Sequence, residues 1–402
     1  MFSIFVLSKF NRNIERNGLT MKKVQIIEKS CHREGLKVER LRNFFRQNGY
    51  ELVNDDTGLD PTNKYAYPLE ELVISPEADI FVLTTCSFSE SIENGDFEAL
   101  NMIKRDKKPD ANIIVAGCLV KISPERLASE FTGDVFDAKS YHLIDDYVEH
   151  TISFGDIDNV NYQKNTDNYF IKIQDGCNQR CSYCAIWKAA GVNTSKPINE
   201  VIAEFQKGLD EGHKKFYFLG ECMGAYGLDV GYSLSTLLDR VCELQGEFDL
   251  LIEDISPVYF LKNFEAIKRI CEKNIIRSLH VPIQSGCTRI VQLMNRRCDM
   301  QMVLEKFLEI KRILPHIILS SAVIVGFPTE TWDELLESLA YCKNARFDTV
   351  ACHVYSNRPG SKASRMEGQI EEDEKYRRYS YFKENFQGET RIDPNQRKYI
   401  GE

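Results

Sequence analysis

From residue 21 onward, short runs of β-branched and apolar residues alternate with amphipathic stretches. VQII precedes Cys31, IFVL precedes Cys86 and NIIVAG precedes Cys118, while Val38, Leu41, Phe44 and Phe45 recur at helical spacing and stop at Gly49. This switching of period predicts an open parallel α/β domain over residues 21–150. A polar, Asn- and Asp-rich tract over 151–168 reads as a linker. Six further runs follow: YFIKI, KFYFL, LLIED, SLHVPI, LSSAVIV and TVACHVY. Helical patterns lie between them, among them Val201, Ile202, Phe205 and Leu209 stopped by Gly212, and a capping box from Thr331 to Glu334 ahead of Leu335, Leu336 and Leu339. Six β/α units in a row predict a partial (β/α)6 barrel over 169–366, with its chemistry on the loops at the carboxyl ends of the strands. Residues 367–402 read as a charged helix and a polar tail. Residues 1–20 read as a disordered leader, with Met21 as the candidate initiator. The fold class is therefore α/β, an open parallel domain followed by a partial barrel.

Charge and composition narrow the function. The 51 basic and 60 acidic side chains leave a net charge of −9, which argues against a surface built to neutralise a long phosphate backbone. Thirteen cysteines, an odd number unevenly spread, fit metal ligation by clustered thiols in a reducing, cytoplasmic compartment better than a disulfide framework. The apolar start MFSIFVLSKF is too short for a signal-peptide core, and no run approaches the roughly 20 residues that span a bilayer.

The sharpest local pattern is Cys177-Asn-Gln-Arg-Cys181-Ser-Tyr-Cys184, just after the first barrel run. Three thiolates on one loop can hold three irons of a [4Fe–4S] cluster and leave the fourth without a protein ligand. Zinc is the rival, but structural zinc sites usually pair CxxC motifs, and no fourth ligand lies nearby in the sequence. Cys31, Cys86 and Cys118 each follow a predicted strand, where ligands of open α/β sheets gather; the alternative is three small buried hydrophobes. The other seven cysteines, at 222, 242, 271, 287, 298, 342 and 352, default to core or incidental thiols. Cys222 is the exception to watch, because beside Glu221 at the barrel mouth it could meet substrate or cluster. His280 and His353 sit inside strand patterns and read as packed.

The CxxxCxΦC loop on a partial barrel resembles the radical S-adenosylmethionine (SAM) superfamily, and within it the methylthiotransferase family. TTCSFSESIE, IVAGCLV, HVPIQSG, MNRR, VIVGFPTET and YSNRPGSKA carry the likeness from Met21 to Glu402. The resemblance implies a transferase with two [4Fe–4S] clusters, one on Cys177, Cys181 and Cys184 and an auxiliary one on Cys31, Cys86 and Cys118. It places SAM against Tyr183, Gly220, Glu221, Ser256, Gln284, Val325 and Gly326, with the Glu221 carboxylate facing the SAM ammonium. It also implies that SAM serves twice, once to methylate a sulfur on the auxiliary cluster and once to yield the 5′-deoxyadenosyl radical that takes hydrogen from the substrate carbon. C–H then becomes C–SCH3.

Three departures shape the substrate reading. Ser30-Cys31-His32-Arg33-Glu34 replaces the family's usual setting of the first cysteine. Ala190-Gly191 and Ser195-Lys196 replace its Arg-Gly and Ser-Arg. The chain also stops at NQRKYIGE, the join into the TRAM domain that the family carries. The missing TRAM domain, the acidic balance and AYGLD at 225–229, which resembles the ribosomal-protein branch, together point to a peptide or protein substrate, with tRNA adenosine less favoured. A flavodoxin or ferredoxin is the expected electron donor. The alternatives are a radical sulfur-insertion or thioether-forming peptide enzyme and, without catalysis, an iron–sulfur electron carrier, for which Gly220-Glu221 would be superfluous.

Overall fold

A computed structural model describes residues 21–55, 69–158, 161 and 168–391. The expected leader, the end of the tail and part of the expected linker lie outside the described residues. The chain divides into two compact units, Met1–Ser87 with Ile92–Lys164, and Phe88–Ser91 with Asn165–Glu402.

The first unit is built on five parallel strands, β1 (Lys23–Glu28), β2 (Glu51–Leu52), β3 (Ile80–Thr85), β4 (Asn112–Gly117) and β5 (Asp134–Asp137), in the order β2-β1-β3-β4-β5. Every residue of β3 is buried, as a central strand covered on both faces requires. The helix Cys31 opens, His32–Gln47, buries Val38, Leu41, Phe44 and Phe45 along one stripe. Phe44 and Phe45 meet edge to face at 5.4 Å, and Phe45 meets Tyr50 in the same way at 5.3 Å. The chain winds outward from β1 to β2 and then back to β3, so the strand order reverses between β1 and β3, and a crevice opens there at the carboxyl ends. β2 and β5 go beyond the expected strands. One has two residues, and the other buries only Phe136, too little of either to show a period.

The second unit carries seven parallel strands, β6 (Asn168–Lys172), β9 (Lys215–Leu219), β10 (Asp249–Ile252), β11 (Ile276–His280), β12 (Ile318–Val325), β13 (Thr349–Val354) and β14 (Glu389–Arg391). A short antiparallel pair, β7 (Gln174–Asp175) with β8 (Thr194–Ser195), stands apart. Each long strand pairs with the next in sequence, which is barrel winding, and among the described residues β6 and β14 are the edges of an open ring. The six expected strands are present. β11 starts earlier than SLHVPI suggested and ends at His280, ahead of Pro282, which has no N–H to give the ladder. The seventh strand differs from expectation: after the charged helix Glu372–Asn385, β14 pairs with Thr349–Ala351 where a tail was expected. The capping box from Thr331 to Glu334 opens the helix Trp332–Asn344. His280 is buried, with Nδ1 2.9 Å from the Ser320 hydroxyl.

Candidate metal and SAM centres

In the first unit, Cys31 stands three residues past β1, and Cys86 and Cys118 directly follow β3 and β4. Those strands are neighbours, about 4.8 Å apart, so their ends deliver three thiols to one edge of the crevice. The neighbouring Cys86 thiol draws Cys31 down to about 5, against burial, and Cys31 in turn pushes Cys86 up. The charge of a Cys118 thiolate adds to the rise at Cys86. Cys31 is also the N-cap of its helix, where the dipole favours a thiolate.

Backbone geometry fixes the other two. Gly117 has φ +105°, and the Cys118 N–H donates to the Thr85 carbonyl at 3.2 Å. The Thr85 hydroxyl donates to Ala116 O at 2.7 Å and accepts the Leu119 N–H at 3.2 Å. The Cys86 N–H donates to the buried Asp96 carboxylate at 3.2 Å. Burial raises Asp96 to about 8, and the charge of Lys29, also buried, opposes the rise.

In the second unit, Gly176 introduces the Cys177–Cys184 loop with φ +83°; a Cβ there would lie 1.9 Å from Val192 O, so only glycine fits. The Cys177 N–H donates to Gly191 O at 3.0 Å. On the other side, Ser182 N–H donates to Met294 O at 3.0 Å, the Ser182 hydroxyl to Leu293 O at 2.8 Å and Asn295 Nδ2 to Arg180 O at 3.0 Å. The loop is thereby clamped along its length. Arg180, at φ +53°, lays its guanidinium over the Trp187 ring at 4.2 Å. The neighbouring Cys222 thiol lowers Cys177 to about 7 and is itself raised, while burial lifts Cys184 to about 12. Cys222 therefore lies beside Cys177, one member of the trio. Arg296 reaches the same place through Tyr183. Neither was assigned a role from sequence, and only the adjacency of Cys222 to Glu221 hinted at one.

Three thiols are the donor set that an iron–sulfur cluster takes from a protein; among the described residues, no group that includes a cysteine brings three ligand atoms within 4.8 Å of one another.

The expected SAM residues lie at carboxyl ends of barrel strands. Gly220 and Glu221 follow β9; the Glu221 carboxylate accepts the Gly176 N–H at 2.8 Å and the Lys172 ammonium at 3.3 Å. A Cβ at Gly220 would meet Gln174 Oε1 at 2.7 Å. Ser256 caps the helix Pro257–Lys262, and its hydroxyl accepts from Gln179 Nε2 in the cysteine loop. Gln284, at φ +69°, keeps its buried Oε1 without a hydrogen-bond partner. Val325 ends β12, and the Gly326 N–H is taken by the Glu330 carboxylate at 2.7 Å. The orphaned Gln284 acceptor is the observation here that asks for a hydroxyl or amino donor from a ligand.

Residues 171–342 match the radical SAM superfamily, and residues 68–136 match the uncharacterized protein family UPF0004. The chain is 32% identical over 308 residues to the ribosomal protein uS12 methylthiotransferase RimO of Thermodesulfovibrio yellowstonii, covering 75% of this chain and 72% of that one. It is 30% identical over 348 residues to the tRNA-2-methylthio-N(6)-dimethylallyladenosine synthase of Pseudothermotoga lettingae, covering 81% and 78%. Among solved structures, the radical SAM methyltransferase TsrM of Kitasatospora setae shares the fold at a TM-score of 0.54 and 12% identity, covering 83% of this chain and 75% of that one. An α/β unit ahead of an open barrel with a three-cysteine loop at its mouth defines a radical SAM enzyme. The chain belongs to the radical SAM methylthiotransferase family, whose members use two [4Fe–4S] clusters and SAM. No helix among the described residues is long and apolar enough to cross a membrane.

Proposed function

We propose that this chain converts a C–H bond of a peptide or protein side chain to C–SCH3 in the cytoplasm, with electrons from a flavodoxin- or ferredoxin-type donor. In this reading Cys177, Cys181 and Cys184 hold the barrel cluster, and Cys31, Cys86 and Cys118 hold the auxiliary one. When bound, the clusters supply the reducing electron and the sulfur. The chain's residues do the binding and orienting. Glu221, steadied by Lys172, receives the SAM ammonium, and Gln284 Oε1 accepts from the nucleoside, with Tyr183, Gly220, Ser256, Val325 and Gly326 around it.

The polypeptide substrate rests on the surface beside the cysteine loop. The Asp229 carboxylate accepts from Ser195 N at 2.8 Å, the Ser195 hydroxyl at 2.6 Å and Asn193 Nδ2 at 2.9 Å, tying the turn at 227–232 to the segment that follows Gly191. These two loops hold Val192, Leu228, Val230 and Tyr232 out in solvent, the most exposed of them 61% exposed. Exposed apolar side chains on braced loops suit apolar peptide side chains, whereas a nucleic-acid face needs cations along a phosphate backbone. A tRNA adenosine is the second reading, favoured by the likeness to the tRNA-modifying relative. Incubation with SAM and reductant separates the two. A gain of SCH2, the mass of a methylthio group replacing hydrogen, on a candidate peptide or protein supports the proposal; the same gain on tRNA alone overturns it.

A further inference from the structure

Arg296 follows the helix Thr288–Leu293 and is 7% exposed. Its Nη1 donates to the Tyr183 hydroxyl at 2.7 Å, while its buried Nε has no hydrogen-bond partner. No carboxylate lies within ion-pair distance of it among the described residues; the groups that act on its charge are Tyr183, Cys181 and Cys222. A buried guanidinium left without a counter-charge is strongly unfavourable. Here the segment that carries it is deliberately fastened: Leu293, Met294 and Asn295 hydrogen-bond to Ser182 and Arg180 of the cysteine loop. Chain geometry therefore holds a cation against the loop that carries Cys177, Cys181 and Cys184.

We infer that Arg296 is a positioning residue whose counter-ion is the barrel cluster, and that it sets the potential of that cluster. The inference rests on the assignment of Cys177, Cys181 and Cys184 as its ligands. A cluster held by three thiolates is anionic and gains one further negative charge when it accepts an electron. A fixed cation beside it stabilises the reduced form more than the oxidised form and so raises the potential. Tyr183 serves as the intermediary, a neutral hydroxyl that aims the guanidinium without neutralising it.

The test is an anaerobic potentiometric titration of reconstituted full-length protein, following the EPR signal that SAM perturbs, for the parent, Arg296→Gln and Arg296→Lys. At a fixed potential the ratio of reduced to oxidised cluster should fall about tenfold in Arg296→Gln, a shift of about 59 mV to more negative potential for one electron. Arg296→Lys should restore most of it. Thermal unfolding of the cluster-free proteins supplies a second readout: loss of an uncompensated charge should leave Arg296→Gln no less stable than the parent, whereas a purely structural arginine would leave it less stable. A loaded Arg296→Gln protein with the parent's potential, or a lysine variant that behaves like the glutamine one, overturns the inference alone. A parent protein that assembles no cluster on the barrel loop overturns the ligand assignment and the inference with it.

Discussion

Gly117 and Thr85 approach so closely that a Cβ on Gly117 would sit 2.6 Å from the Thr85 carbonyl oxygen. That contact aligns the ends of β3 and β4, from which Cys86 and Cys118 depart. Gly117→Ala should therefore act twice. It forces a side chain into a positive-φ position, which costs roughly 1–3 kcal/mol in strain alone, and it moves a strand end. We expect lower stability in denaturant unfolding and loss of the auxiliary share of bound iron. Retention of full iron content would show that the crevice tolerates the shift.

The two cysteine trios predict the iron count. Anaerobically reconstituted protein should hold about eight irons, and replacing Cys177, Cys181 and Cys184 with alanine should leave about half. Iron analysis with EPR decides this. A triple variant that loses no iron would refute the assignment of the barrel cluster.

Glu221→Gln keeps the size of the side chain and removes its charge. Losing a charge-assisted hydrogen bond costs roughly 1.5–3 kcal/mol, so SAM affinity should fall about tenfold to a hundredfold. Lys172 retains Asp175 at 2.7 Å, which limits the damage to the fold. Equilibrium binding of SAM to the loaded variant is the measurement, and unchanged affinity would mean that Glu221 serves only Lys172 and Gly176.

Glu334 should give a pH signature in the cluster-free protein. Hydrogen bonds from Arg289 chiefly, helped by the Thr331 N–H, hold its carboxyl near 2 instead of 4.5. A depressed folded-state value contributes stability that is complete above about pH 4.5 and is lost as pH falls through about 2. Arg289 is half exposed, so screening limits the effect to roughly 1 kcal/mol or less. The melting difference between the parent and Arg289→Met should shrink between pH 6 and pH 3. A difference independent of pH would contradict this account.

Much of this architecture was legible because β-branched runs and amphipathic helices have distinct periods, and the clearest, LSSAVIV, became the eight-residue β12. The strand-end cysteines could be read because fold class tells where strand ends converge. β2, β5 and β14 were not legible: two to four residues cannot display a period. The same holds for contacts at a distance. Arg296 and Tyr183 are 113 positions apart, and Lys172 and Glu221 are 49 apart; spacing in the sequence carries no trace of either. MNRR marked the family without revealing that its first arginine is buried against the cysteine loop.

The central claim is a division of labour between two cysteine trios, and the products of SAM report it directly. In a Cys31/Cys86/Cys118→Ala variant, provided the fold survives a loss that itself removes metal-linked stability, reduction should still yield 5′-deoxyadenosine while S-adenosylhomocysteine falls away. General misfolding would depress both products together. Undiminished S-adenosylhomocysteine in that variant would contradict the account, because the methyl acceptor would then lie elsewhere than on the auxiliary site.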